Sequence, residues 1–288
     1  MKVLVIGAGG QLGSEMVVVS NSLGHETSAR DFPDVDIGSA ESLRECLKSI
    51  TPELIINCAA YTAVDDCETN QAVAYALNSD GPANLARATK EIGATMVHIG
   101  TDYVFDGKKG IPYTENDAPA PESVYGKTKL AGEKNIRDLL DDHYIFRIAW
   151  LYGHQGNNFV KTMRNLAANN AAQGKVMKVV ADQWGTPTYT RDICRQIFEV
   201  VDHAPCGLYH CTSEGTCSWY DFAKLIIDSA GISVDLRPCT TADFPRPAPR
   251  PPFGVLENEK LKKLDMNRMP VWTDAFAEFL SDEKSQAG

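Results

Sequence analysis

Tyr125 and Lys129 stand four residues apart in Ser123-Val-Tyr-Gly-Lys-Thr-Lys-Leu-Ala-Gly-Glu133, a stretch whose Leu, Ala and Glu content predicts the opening turns of a helix. That spacing puts both side chains on one helical face. An ammonium one turn from a phenol stabilises the phenolate by charge attraction, so the pair has the makings of an acid/base device. Tyr-x-x-x-Lys also recurs on ordinary amphipathic helices, and its weight depends on what accompanies it. Thr101 lies just past the apolar run Thr95-Met-Val-His-Ile99, at the strand end where open parallel sheets bind ligands. Its hydroxyl can hold a carbonyl oxygen that also faces Tyr125, or satisfy a loop amide.

Near the start of the chain, Gly7, Gly10 and Gly13 form Gly-x-x-Gly-x-x-Gly between the run Val3–Ile6 and a helical segment. In that setting bare backbone amides and a helix N-terminus can approach a pyrophosphate, which predicts a bound nucleotide. The end of the second strand carries Arg30 and Asp31 side by side. A base there accommodates the extra phosphate of NADP and an acid favours NAD. Arg30 tilts the reading toward NADPH, and a one-residue shift in the strand end reverses it, so both NADPH and NADH stay open.

These groups need a scaffold to bring them together. Strands are expected at Lys2–Ile6, Glu26–Ala29, Leu54–Asn57, Thr95–Ile99 and Tyr144–Ala149. Between them come helices to about Leu23, from a Ser39 cap to about Ile50, from about Gln71 to Ile92, and through the Tyr-Lys segment. Strands alternating with helices mean a parallel sheet covered on both faces. The expected fold is α/β, a Rossmann-type doubly wound parallel sheet with a smaller mixed α/β substrate-binding lobe. Residues 1–152 form the dinucleotide-binding domain, with its sheet completed by a strand and helix within 175–204; residues 153–174 and 205–288 form the lobe. Pro238, Pro245, Pro247, Pro249, Pro251 and Pro252 impose an extended segment. Helices near Phe159–Asn170, Ser218–Ala230 and Val271–Lys284 complete the lobe, and Glu283–Gly288 is expected to fray.

A 288-residue chain suits one large domain with an attached lobe. The apolar runs are only strand-length, Met1-Lys2 leads straight into a strand, and the eight cysteines contain no Cys-x-x-Cys. No membrane span, signal peptide or disulfide is expected, and the setting reads as cytoplasmic. Cys206, His210, Cys211 and Cys217 are the nearest approach to a zinc set, but their spacing fits no familiar zinc knuckle and no metal is assigned. The formal net charge of −10 argues against a nucleic-acid partner. Any anionic substrate must therefore meet local cations, for which Lys161, Arg246 and Arg250 are the candidates.

Together, Gly7-x-x-Gly10-x-x-Gly13, Asn57-Cys-Ala-Ala-Tyr-Thr62, Thr101-Asp-Tyr-Val-Phe-Asp-Gly107 and Tyr125-Gly-Lys-Thr-Lys-Leu-Ala-Gly-Glu133 resemble the extended short-chain dehydrogenase/reductases, most nearly the dTDP-4-dehydrorhamnose reductase family. Further matches reach beyond Trp150, through Asp182-Gln-Trp-Gly-Thr-Pro-Thr188 and Ser218-Trp-Tyr-Asp-Phe-Ala223. The resemblance implies that NADPH or NADH reduces the C4 ketone of a dTDP-linked 4-keto-6-deoxyhexose. Thr101, Tyr125 and Lys129 match the catalytic residues. Tyr125 would donate the proton, Thr101 would hold the same oxygen, and Lys129 would lower the phenol's pKa and bond the nicotinamide ribose. Gly10, Gln11, Leu12, Asp36, Ile37, Ala60, Tyr61 and Thr62 match cofactor contacts. Thr101, Asp102 and Trp150 match substrate contacts, Trp150 being otherwise a core aromatic. Gly100 and Cys58 depart from the Ser and Ala of many relatives, and Pro251-Pro252-Phe253 after Arg250 is less usual. The resemblance also leaves a homodimer open, since family members can pair through metal-bridged acids; Glu15 is a candidate contributor here, but a lone surface Glu is ordinarily just solvated and no metal is assigned to it. Two rivals share the fold: a sugar-nucleotide epimerase or dehydratase, and a non-catalytic regulatory subunit similar to the β subunit of methionine adenosyltransferase.

Overall fold

The computed structural model describes residues 1–287. Six parallel strands, β1 (Lys2–Ile6), β2 (Glu26–Arg30), β3 (Leu54–Asn57), β4 (Thr95–Thr101), β5 (His143–Ile148) and β6 (Gly207–His210), line up in the order β2-β1-β3-β4-β5-β6. The chain winds outward in both directions from the β1/β3 junction, so a crevice opens at their carboxyl ends.

Helices α1 (Gln11–Ser22), α2 (Ala40–Ile50), α3 (Gly81–Ile92), α4 (Val124–Leu139) and α5 (Thr190–His203) cover the sheet. Alternate strand residues face opposite ways. Val3, Val5, Ile56 and Phe146 meet α1 and α5 through Met16, Ile193 and Ile197. Leu4, Ile55, Met96 and Ile145 meet α2, α3 and α4 through Leu43, Leu85 and Ile136. With both faces buried, the interior strands have no polar side to show, which is why they read as unbroken apolar runs. Ser39 caps α2 as expected, accepting the Ser42 amide at 3.2 Å.

Three expectations need correction. The helix expected from Gln71 to Ile92 is broken: Gln71–Tyr75 leads into a wide turn at Ala76–Asp80 before α3, and a separate helix, Val64–Thr69, precedes it. The wide turn brings the Asn78 amide inward, where it bonds both the N–H (2.8 Å) and the C=O (3.0 Å) of Tyr61. The strand expected in 175–180 does not extend the main sheet. Met177–Val180 pairs in parallel with Leu236–Cys239 outside it, while α5 delivers the chain to β6, the strand beside β5. The last helix, Trp272–Ala287, does not fray after Glu283, whose carboxylate is held by Arg164 at 2.8 Å; Gly288 lies outside the described residues.

Trp150, with a φ of +45°, turns the chain off the end of β5. A separate core beyond it gathers Tyr152, Met163, Phe222, Ile226, Phe276 and Phe279. The proline-rich segment is fastened at its end, where the Trp184 amide donates to Pro252 O at 2.9 Å and the Gly254 amide donates to Trp184 O at 2.8 Å.

Helix α4 is fastened to β5 by an ion pair with both side chains 1 % exposed: Arg147 Nη2 lies 2.7 Å from Glu133 Oε2, and Nε bonds both carboxylate oxygens. Removing one partner of such a pair strands the other charge in a dry interior, typically at about 3–5 kcal/mol. Urea unfolding of Glu133→Gln is expected to show a loss of that size. A loss well below about 1 kcal/mol would mean the helix is held by apolar packing alone.

Candidate active site

Helix α4 presents Tyr125, Lys129 and Glu133 to the sheet as one stripe of i, i+4 and i+8 residues. Ser123 caps it, its hydroxyl accepting the Gly126 amide at 3.1 Å. The approach is close enough to require glycine: a Cβ on Gly126 would lie 2.1 Å from Tyr103 O, and one on Gly132 would lie 2.2 Å from Asn78 O.

Lys129 is buried, and its ammonium donates to the Ile99 carbonyl at 2.6 Å, with His98 Nε2 at 3.4 Å. Burial lowers its pKa to about 8 against the opposing pull of Glu133 and Cys58. Burial also pushes the Tyr125 hydroxyl well above its ordinary value, with the Thr101 hydroxyl pulling the other way. Here the expectation from spacing needs correction. Lys129 spends its hydrogen bond on β4, not on Tyr125, and desolvation pushes each group toward its neutral form. A phenol so placed keeps its proton until something takes it.

Of the two roles expected of Thr101, the structure shows the loop-amide one. Its oxygen accepts the Tyr103 amide at 3.2 Å while its hydroxyl donates to Asp102 Oδ1 at 3.1 Å. Asp102 is buried, and desolvation raises its carboxyl to about 7. Opposite it, Gly254 is needed, because a Cβ there would sit 2.7 Å from Asp102 Oδ2.

The glycine turn behaves as the motif requires. Gly7 has φ +79°, and a Cβ on Gly13 would collide with Gly7 O at 2.1 Å, so strand and helix touch backbone to backbone. Helix α1 has Gly10 at its N-cap, with no side-chain cap and no acid in its first turn, leaving its first amides for an anion. The buried Gln11 Oε1 likewise has no partner. Two cavities, of about 400 and 520 Å³, share Gly10, Cys58, Ala59 and Ala60 and so form a trough from β2 to α4. Its length, glycine-lined middle and uncapped helix suit a dinucleotide.

Gly10, Gln11, Leu12, Gly13, Ala60, Thr62, Thr101, Asp102, Tyr125, Lys129 and Trp150 line the first cavity. Gly7, Asp36 and Ile37 line the second. Trp150 is also stacked on Trp219, ring centroids 3.4 Å apart, so it is both wall and core. Five candidates fall elsewhere. Tyr61 packs on the cluster around Cys67 beside Tyr125. Lys161 is occupied with the carbonyls of His154 and Gly156, at 2.7 and 2.9 Å. Arg250 pairs with Asp65 at 2.9 Å and Arg246 is exposed, neither lining a cavity. Arg30 is the last residue of β2, its guanidinium turned back onto Ala29 O; Asp31 lines the second cavity instead. Glu15 is not a solvated acid but 6 % exposed and bonded to Arg191 at 2.7 Å. Spacing also missed His98, buried between Asn57 and Lys129, because a histidine within an apolar run looks like any core residue.

The RmlD substrate binding domain family matches residues 1–285. A dTDP-4-dehydrorhamnose reductase of Burkholderia thailandensis is 38% identical over 304 residues, covering 99% of this chain and 100% of that one. Among solved structures, a dTDP-4-dehydrorhamnose reductase of Clostridium acetobutylicum superposes with a TM-score of 0.94 at 45% identity, over 99% of this chain and 100% of the other. The Bacillus anthracis enzyme of the same name, solved in complex with NADP, gives 0.93 at 36%, over 98% and 99%.

Lys129 is expected to titrate near 8, charged below and neutral above, apart from the surface lysines. Carbon NMR of Cε-labelled lysines should show one resonance moving there in the wild type and none in Lys129→Arg. If every lysine titrates near its ordinary value, the buried placement of this ammonium is wrong.

Proposed function

Because the chain belongs to the RmlD substrate binding domain family, we propose that it is a dTDP-4-dehydrorhamnose reductase, using NADPH or NADH to turn the C4 ketone of dTDP-4-dehydro-β-L-rhamnose into the alcohol of dTDP-β-L-rhamnose. The observation that carries the reading is the convergence of Tyr125, Thr101 and Lys129 at one end of a trough that passes over the glycine turn at its middle.

The bound nicotinamide supplies the hydride. This chain's own residues supply placement and the proton. Gly10, Gln11 and the open start of α1 support the pyrophosphate, and Asp36 and Ile37 support the adenosine end. As charge grows on the ketone oxygen, the Tyr125 hydroxyl donates its proton there. Its raised pKa keeps that proton in place until the oxygen becomes a strong base. Lys129, charged below about pH 8, then stabilises the phenolate left behind. Thr101 is anchored by the Tyr103 amide, and its hydroxyl turns from Asp102 Oδ1 to meet the same oxygen. Trp150, braced by Trp219, offers a flat apolar wall to the sugar ring. Lys161 and Arg250 are tied to other groups, so neither is free for the diphosphate as the chain stands. A cytoplasmic setting and a homodimer complete the reading and rest on the family alone.

Replacing Tyr125 by Phe removes the proton donor and little volume, so turnover should fall by about 10²–10⁴ while nucleotide binding survives. Mixing the wild type with reduced nicotinamide and the 4-keto sugar nucleotide should consume both in equal amounts. An epimerase would show no net oxidation and a regulatory subunit no change. Near-normal reduction by Tyr125→Phe would defeat the assignment.

A further inference from the structure

His98 sits in the middle of a chain of contacts that runs from the backbone beyond β3 to Lys129. It is fully buried and stands opposite Asn57 in the β3/β4 register. The Ala59 amide can only donate, and it donates to Asn57 Oδ1 at 3.1 Å, so the end of that side chain facing His98 Nδ1 at 3.1 Å is the donor Nδ2. Nδ1 must therefore accept. Burial, helped by the Lys129 charge, holds the ring well below its ordinary pKa, so it is neutral and its one hydrogen falls to Nε2. Nε2 lies 3.4 Å from Lys129 Nζ.

An ammonium has hydrogens to give and no lone pair to offer. With Lys129 charged, the ring stands between two donors and must turn its hydrogen toward one of them, whichever nitrogen carries it. With Lys129 neutral, every link is met: Ala59 donates to Asn57, Asn57 to His98, His98 to the amine, and the amine to Ile99 O at 2.6 Å. The other titratable groups around the lysine are Glu133 on its own helix and Cys58 past β3, both of which favour its charge, with Tyr125 and Asp102 lining the same cavity. Glu133 is already matched by Arg147.

We propose that His98 is a positioning residue that acts through Lys129: held by Asn57 as a donor from Nε2, it favours the amine over the ammonium and makes this lysine ready to release its proton. The effect on the lysine stands on the contacts alone, and the effect on turnover rests on the reductase reading.

The test is NMR of the full-length protein without nucleotide, its lysines labelled at Cε and its histidines at both ring nitrogens. In the wild type the nitrogen shifts of His98 should show the hydrogen on Nε2 and a bare Nδ1, and they should move with the Lys129 midpoint. In His98→Gln, whose amide can turn its oxygen to the ammonium, that midpoint should rise by about one pH unit, a tenfold gain in proton affinity and the order expected when a donor facing a charge becomes an acceptor. Hydrogen on Nδ1 in the wild type, or an unmoved or lowered midpoint in a folded His98→Gln, would overturn the proposal. Because the wild-type shifts need no variant, a misfolded His98→Gln would not shield the idea. In the ketone-reduction assay the alkaline limb of kcat/KM should move upward with the lysine in His98→Gln, a shift that lost packing would not produce, and a limb that stays in place would also overturn the proposal. No reduction by the wild type would bring down the functional reading instead, leaving the lysine midpoint to decide this one.

Discussion

The site depends on how closely helix α4 is drawn onto the sheet, and the Glu133–Arg147 ion pair does the drawing. Two fully buried charges are costly to bring out of water, and this pair offsets part of that cost through three hydrogen bonds in a fork geometry, although Arg147 Nη1 has no partner. Glu133 reaches so far toward β4 that a side chain at Gly100 would meet its Oε1 at 2.6 Å. The residue that looked like a departure from a common serine is thus a consequence of where the carboxylate sits. Lys129 and Tyr125 lie one and two turns from this anchor, and their positions follow from it.

Desolvation then sets the chemistry. The same closeness that fixes Lys129 on the Ile99 carbonyl strips water from its ammonium and from the Tyr125 phenol, moving the two in opposite directions on the pH scale. Spacing alone suggests a lysine that simply lowers the tyrosine's pKa. The folded arrangement is a pair of reluctant ions, in which the lysine's benefit is felt only when the phenol gives up its proton.

Much of the fold was legible because its signals are local. Continuous apolar runs mark strands buried on both faces, Ser39 and Ser123 mark helix starts, and the glycines mark the strand–helix turn. What the sequence could not show depends on contacts between distant residues. The strand Met177–Val180 reads the same whether it joins the main sheet or pairs with Leu236–Cys239. The wide turn at Ala76–Asp80 exists because Asn78 finds the Tyr61 backbone 17 residues away. Lys161 and Arg250 looked like free cations because their carbonyl and carboxylate partners are invisible along the chain. Arg30 and Asp31 differ by a single step in strand register, and only the pairing of Ile6 with Arg30 decides which faces the cavity.

The two ends of the trough are also separated along the chain. Residues lining the cavity beside Asp31 all fall between Ile6 and Leu77, whereas the wall of Trp150, Leu151 and Asn157 comes from the segment where the lobe begins. On the proposed function, the adenosine end of the site and the wall offered to the sugar are therefore drawn from different stretches of the chain, so a substitution in one need not disturb the other.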